Sequence, residues 1–253
     1  MKELFCTVKS NSAIARGIFA MTITLPEEVQ VRGGQFLNIS TGNPAHLLKR
    51  PFGIMRKDGC DITFCYQLKG EGTMCLSKAK AGDELAVTLP LGNGFAIPDG
   101  AKKIAVVGGG VGIFPLLSVI ENVKGREFYS YIGFRGAEYA CLIDDFKAVS
   151  KQLTVVTDDG SIGAKTNAVS AFLSEYEEVQ PHLIISCGPP VMLRALKSQL
   201  KERGISTPCL VSLEERMGCG IGACLVCVCK KSDGSNARVC KDGPVFDINE
   251  VQL

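Results

Sequence analysis

Cys219, Cys224, Cys227 and Cys240 follow the spacing C-x4-C-x2-C-x12-C near the end of a 253-residue chain. Three thiols in one short loop with a fourth on a separate return is the spacing of plant-type [2Fe–2S] clusters, which take four thiolates. Such a loop must bend sharply and aim backbone N–H groups inward, and Gly218, Gly220 and Gly222 supply the freedom to do so. The rival reading is a structural zinc site, which pairs two short knuckles of cysteines. Only Cys224-x2-Cys227 forms a good knuckle here, and the x4 loop is a poor match for a second.

Cys229 lies two residues past Cys227, on the same face of any extended strand. A ligand there would crowd one side of a cluster, so Cys240 is expected as the fourth ligand. The segment Lys231 to Asn236 (KSDGSN) has hairpin chemistry and would fold ARVC back beside CLVCVC. Cys6, Cys60, Cys65, Cys75, Cys141 and Cys209 sit in or beside apolar runs and read as small hydrophobic residues. Met1 to Ser10 has no apolar stretch of a secretory leader. Reduced thiols and a cytoplasmic location are therefore expected.

The charge balance excludes some partners. Net charge is +2, with no broad basic surface to hold nucleic acid or acidic lipid. Ile104 to Ile120 is apolar and long enough to be mistaken for a membrane span, but glycines and Pro115 interrupt it. It reads instead as strand, glycine turn and helix.

The periodicity divides the chain into three modules, at residues 1–97, 98–210 and 211–253. In the first, IFAMTITL and CDITFCYQL alternate apolar and polar residues between turn signals, which predicts a small antiparallel β-barrel or sandwich. One short helix is expected over Thr73 to Ala79. In the second, KKIAVVGGG, EFYSYIGF, LTVVTDD and HLIISCG read as strands. FPLLSVIENV, AVSAFLSEYEEV and VMLRALKSQLKERG read as helices between or after them. Alternation of this kind predicts an α/β domain with a parallel sheet covered on both faces. The third module is too short to bury a core of its own and needs a staple.

Two further stretches are candidate cofactor sites. Gly110-x-Gly112-x-x-Pro115 opens a helix after a strand, where glycines let backbone approach a pyrophosphate and the helix end favours its charge. Cys187, Gly188 and Pro189 end another strand, at the sheet edge where such folds bind nucleotides. In the first module, Arg50 is a candidate for a diphosphate, and Gly72-Thr73 heads a short helix.

Taken in order, the motifs Arg-Pro-x-x-Ile, Gly-x-Gly-Thr, GGGVGIxPL, CGPxxM, EERMxCGIGxCxxCV and VCKDGPVF resemble one family. It comprises the electron-transfer subunits of NAD-dependent (type B) dihydroorotate dehydrogenases, within the ferredoxin–NADP reductase superfamily. The resemblance covers essentially the whole chain, and its tail motif is the most specific part. It implies FAD on Arg50, Pro51, Phe52, Gly53, Cys65, Tyr66, Gln67, Gly72 and Thr73, with NAD on the second module. It also implies a [2Fe–2S] cluster on Cys219, Cys224, Cys227 and Cys240. Gly53 stands where a Ser or Thr hydroxyl is common in the family, and Gln67 where Arg is common.

The resemblance further implies an FMN-containing catalytic partner, a heterotetramer with two of each subunit, and electron flow from FMN through the cluster to FAD and NAD+. This chain has no room for a dihydroorotate-oxidising barrel of about 250 residues. His46 and His182 show no catalytic spacing. Arg135 suits the 2′-phosphate of NADP, whereas the nearby Glu138 opposes one. Two other readings stay open at this point: a subunit feeding a different NAD(P)H-linked oxidoreductase, such as a ferredoxin reductase or hydrogenase, and a zinc-stapled nucleotide-binding regulatory protein.

Overall fold

The computed structural model describes residues 1–253. Six strands close a barrel: β1 (Lys2–Ala15), β2 (Ile18–Thr24), β3 (Phe36–Ile39), β4 (Arg50–Asp58), β5 (Asp61–Gln67) and β6 (Glu84–Leu91). Their spatial order is β1-β2-β5-β4-β3-β6, and every pairing is antiparallel. Alternation along β2 and β6 sends Met21, Ile23, Leu85, Val87 and Leu89 inward, where they pack on Leu37, Ile54 and Phe64.

Helix α1 (Glu71–Leu76) follows β5. It starts two residues before the expected Thr73, because Thr73 turns its hydroxyl back to the chain that enters the helix. That Oγ1 accepts from the backbone N–H groups of Lys69 and Gly70 at 2.9 and 3.2 Å.

A second sheet is built from β7 (Lys103–Gly109), β8 (Glu127–Phe134), β9 (Gln152–Thr157), β10 (Leu183–Cys187) and β11 (Cys209–Ser212). The order β11-β10-β7-β8-β9 is wholly parallel and reverses between β7 and β10. That reversal is the switch point at which doubly wound sheets take ligands. Helix α2 (Ile113–Asn122) leaves the end of β7, and α3 (Ile143–Val149) lies between β8 and β9.

The expected helix over AVSAFLSEYEEV is two short helices, α4 (Ala168–Ser174) and α5 (Tyr176–Val179). The break is at Glu175, whose carboxylate accepts from Tyr131 Oη at 2.9 Å and Gln152 Nε2 at 2.7 Å. Those bonds to the sheet outweigh the local gain of one continued helical turn. Helix α6 (Pro190–Glu202) has a proline in its first turn and is followed by Gly204 at φ +66°.

The tail is stitched to both preceding units. Hairpin strands β12 (Val228–Lys230) and β13 (Asn236–Arg238) pair as KSDGSN predicts, and β14 (Val245–Asp247) joins β11 antiparallel at the edge of the second sheet. Cys227, Cys229, Val239, Cys240, Phe246 and Val251 share one apolar core with Phe36 and Leu91 of the barrel and Leu193 and Leu196 of α6. No helix is long and apolar enough to cross a membrane.

Candidate functional site

The barrel, the second sheet and the tail meet around a cleft of about 250 Å³. From the barrel come Phe36, Pro51, Phe52, Gly53, Cys65, Tyr66, Gln67 and Thr73. Val111, Phe114, Pro115 and Cys187 close it from the α/β side, and Ser212, Glu214, Met217 and Pro244 from the tail. Seven of the nine residues expected from the sequence to hold a flavin thus share one space, all but Arg50 and Gly72, and one wall of it belongs to the cysteine module.

Arg50, Gly72 and Thr73 line an adjoining open pocket with His46. Gly72 lies directly under the Arg50 guanidinium: a methyl group there would sit 2.3 Å from Nε. Arg50 Nη1 donates to the Leu48 carbonyl, and Nε and Nη2 lie over Gly72 at the pocket's edge. A diphosphate fits this donor set, with a planar cation on one side and a short helix on the other.

Gly53 lies on β4 opposite Phe36, and a Cβ there would touch Pro115 of α2 at 3.4 Å. Position 53 therefore marks the seam between barrel and α/β domain. Gly112 packs on the end of β10: a Cβ would fall 2.4 Å from the Cys187 carbonyl oxygen. Gly110, at φ +53°, begins that turn, and Pro189 is the exposed residue that precedes α6. The two nucleotide motifs are in contact, at the switch point.

The cysteine loop is shaped by its own backbone. Gly220 and Gly222 adopt φ +73° and +83°, and Leu225 adopts +59°. The Cys219 sulfur accepts from the N–H groups of Ile221, Ala223 and Cys224 at 3.3–3.4 Å, and the Cys224 sulfur accepts from the Cys219 N–H at 3.3 Å. Burial pushes the Cys219 thiol up. The N–H donors of Ile221, Cys224 and Ala223, with the Cys224 side chain, together bring it down to about 6.

Cys227 forms a second pair with Cys240, whose N–H donates to its sulfur at 3.4 Å. Burial, then the bond to Cys227, pushes the Cys240 thiol up to about 12. The thiols thus form two hydrogen-bonded pairs, Cys219 with Cys224 and Cys227 with Cys240. Four thiols in two adjacent pairs are a donor set that a two-iron cluster takes. Cys229 lies on β12 opposite Ala237 and buries its thiol in the apolar core.

Several residues of the site are silent in the sequence. Asn38, between two apolar neighbours on β3, is 2% exposed, and its Oδ1 has no hydrogen-bond partner. An unpaired buried polar group costs roughly 1–3 kcal/mol. Glu214 opens to solvent through the cleft yet has protein packed around its carboxyl. That partial burial raises its pKa, and the charge of Lys69 opposes the rise. Arg56 on β4 binds Glu121 of α2 and Asp145 of α3, with Nη2 distances of 2.5 and 2.6 Å.

A closed antiparallel barrel beside a nucleotide-type sheet, with their seam forming the cleft, is the architecture of the ferredoxin–NADP reductase superfamily. The structure of an NADH-dependent reduced ferredoxin-NADP oxidoreductase, described for flavin-based electron bifurcation, superposes with a TM-score of 0.88 at 29% identity. That match covers 98% of this chain and 89% of the other. Phthalate dioxygenase reductase, at 19% identity, shares the fold with a TM-score of 0.67 over 98% of this chain and 77% of its own.

Residues 214–252 match the family described as the iron-sulfur cluster binding domain of dihydroorotate dehydrogenase B. The electron transfer subunit of dihydroorotate dehydrogenase B (NAD(+)) from Clostridium acetobutylicum is 36% identical, over 100% of this chain and 99% of the relative. The subunit of that name from Caldanaerobacter subterraneus subsp. tengcongensis is 40% identical over 96% of each. The chain belongs to this family of electron transfer subunits.

Proposed function

We propose that this chain carries electrons from a dihydroorotate-oxidising partner to NAD+, using a [2Fe–2S] cluster and FAD. When bound, these groups supply the redox chemistry: a one-electron relay and a two-electron store that exchanges hydride with a nicotinamide. The chain's own work is to hold them in three modules, at residues 1–97, 98–210 and 211–253. Cys219 with Cys224 would hold one iron, and Cys227 with Cys240 the other. The N–H groups around Cys219 stabilise thiolate and so favour ligation.

Arg50 would take the FAD diphosphate. Pro51, Phe52 and Gly53, with Cys65, Tyr66 and Gln67, would line its ring, and Gly72 and Thr73 would back the phosphates. Because Gly53 and Gln67 replace hydroxyl and cationic side chains common in the family, more of that binding falls on Arg50 and backbone. Gly110, Gly112, Cys187, Gly188 and Pro189 would receive NAD at the switch point.

The observation that carries this reading is the shared wall: Met217 and Pro244 of the cysteine module line the same cleft as Pro51 and Tyr66. An electron leaving the cysteine loop has the flavin pocket beside it. On the outer side, Cys224, Ile221, Leu225 and Val226 are exposed. An exposed apolar cluster around a redox loop suits docking of a catalytic subunit, with FMN as its electron donor and two copies of each subunit. A cytoplasmic location goes with this reading, because thiolate ligands need a reducing compartment.

The test is co-expression with a candidate FMN subunit. The complex should reduce NAD+ with dihydroorotate, whereas the isolated chain should pass electrons from NADH to artificial acceptors and leave dihydroorotate untouched. Dihydroorotate turnover by the isolated chain would refute the reading. The TM-score of 0.88 favours one second reading, the same module feeding a different oxidoreductase, such as a ferredoxin reductase. The identity of the co-purifying subunit separates the two.

A further inference from the structure

Asn38 joins the two cofactor regions. Strand parity turns Asn38 and Phe36 to the same face of β3, and Phe36 is part of the cleft wall. Across the sheet Asn38 pairs with Pro51, also on that wall. Its amide presses on the cysteine loop: a methyl group at Gly220 would lie 2.3 Å from Asn38 Nδ2. The side chain thus fills the space between the cleft wall and the loop that carries Cys219.

An amide buried with an orphaned Oδ1 is a poor choice for packing alone, since an apolar side chain of similar shape would fill the space without desolvating polar atoms. The end of the amide that meets the loop is the donor Nδ2, so what it can serve there is an acceptor that the loop carries. Thiolate-ligated clusters are negatively charged, and hydrogen-bond donors in their outer shell set both ligand orientation and potential.

Resting on the ligand set proposed above, we propose that Asn38 is a positioning residue for the cluster. Its amide N–H donates to the sulfur shell on the Cys219 side, pins the loop against the cleft wall, and stabilises the reduced cluster. The sign follows from charge: reduction adds an electron, so a donor beside the sulfurs favours the reduced form and raises the potential. Asn38→Leu keeps the approximate shape and removes the donor. Asn38→Asp keeps the shape and replaces the donor with a negative oxygen.

The experiment is an EPR-monitored redox titration of the full chain loaded with FAD and cluster. Asn38→Leu should shift the cluster to lower potential by enough to change the electron partition between cluster and FAD about tenfold, 59 mV for a one-electron couple. Asn38→Asp should shift it further in the same direction. FAD content and the FAD potential should match the parent in both. Pulsed EPR of the parent in D2O should show an exchangeable proton coupled to the reduced cluster that Asn38→Leu lacks. An unchanged cluster potential in both variants at full iron content would overturn the proposal. So would loss of FAD together with the cluster in both, which would mark Asn38 as general packing. A parent protein without a two-iron spectrum would remove the ligand set itself, a different failure from either.

Discussion

The Arg56 guanidinium on the barrel grips the Glu121 carboxylate on α2 through two of its nitrogens, Nε at 2.9 Å and Nη2 at 2.5 Å. Asp145 of α3 accepts from the same Nη2, so one cation ties the barrel to two helices of the α/β domain. The cleft lies along the same seam, where Gly53 of β4 meets Pro115 of α2.

Arg56→Ala should leave both carboxylates half-buried and facing each other without a cation. A charge-assisted bond contributes roughly 1.5–3 kcal/mol, trimmed here by partial solvent access. Thermal unfolding should fall by a few degrees, at about 2–4 °C per kcal/mol for a chain of this size. FAD should also dissociate faster. An unchanged melting temperature and an unchanged FAD off-rate together would show that the seam is held by apolar contacts alone.

Arg50→Ala should weaken FAD binding by about one to two powers of ten, the worth of one charge-assisted bond to a diphosphate. Gel filtration at successive dilutions reads this directly. Arg50→Lys should recover only part of the loss, because an ammonium lacks the planar fork. Full FAD retention in Arg50→Ala would move the diphosphate elsewhere.

Glu214 gives a pH signature. Its carboxyl pKa is raised in the folded protein, chiefly by burial, so between the ordinary carboxylate range and its raised value the folded state holds more proton than the unfolded state. Stability contributed by this group is present at low pH and is lost as pH rises through that window. Glu214→Gln should flatten that slope and be the more stable form at neutral pH. Chemical denaturation across the carboxylate range checks it, and parallel curves for parent and variant would contradict it.

What was legible in the sequence was whatever lies within a few residues of its own cause. The cysteine loop was readable because Gly220 and Gly222, the residues with positive φ, stand between the thiols they turn. KSDGSN announced its hairpin for the same reason. The doubly wound sheet was readable from strand–helix alternation. Asn38 and Arg56 were not, because their meaning lies at Gly220 and at Glu121 and Asp145, far along the chain. The break at Glu175 was hidden likewise: bonds from Tyr131 and Gln152 override a local preference that favours one helix. Strand β14 is three residues long, too short for periodicity, and takes its register from β11.

Cys219 with Cys224 and Cys227 with Cys240 are the two pairs of thiols proposed to hold the two-iron relay. The most direct test is iron content and EPR of the reduced protein in Cys240→Ser and Cys229→Ser, measured side by side. Cys240→Ser should lose most of its iron and its two-iron signal while NADH still reduces the bound FAD. Cys229→Ser should keep both the iron and the signal, since that thiol packs in the core opposite Ala237. Retention of the cluster in Cys240→Ser with its loss in Cys229→Ser would contradict the account.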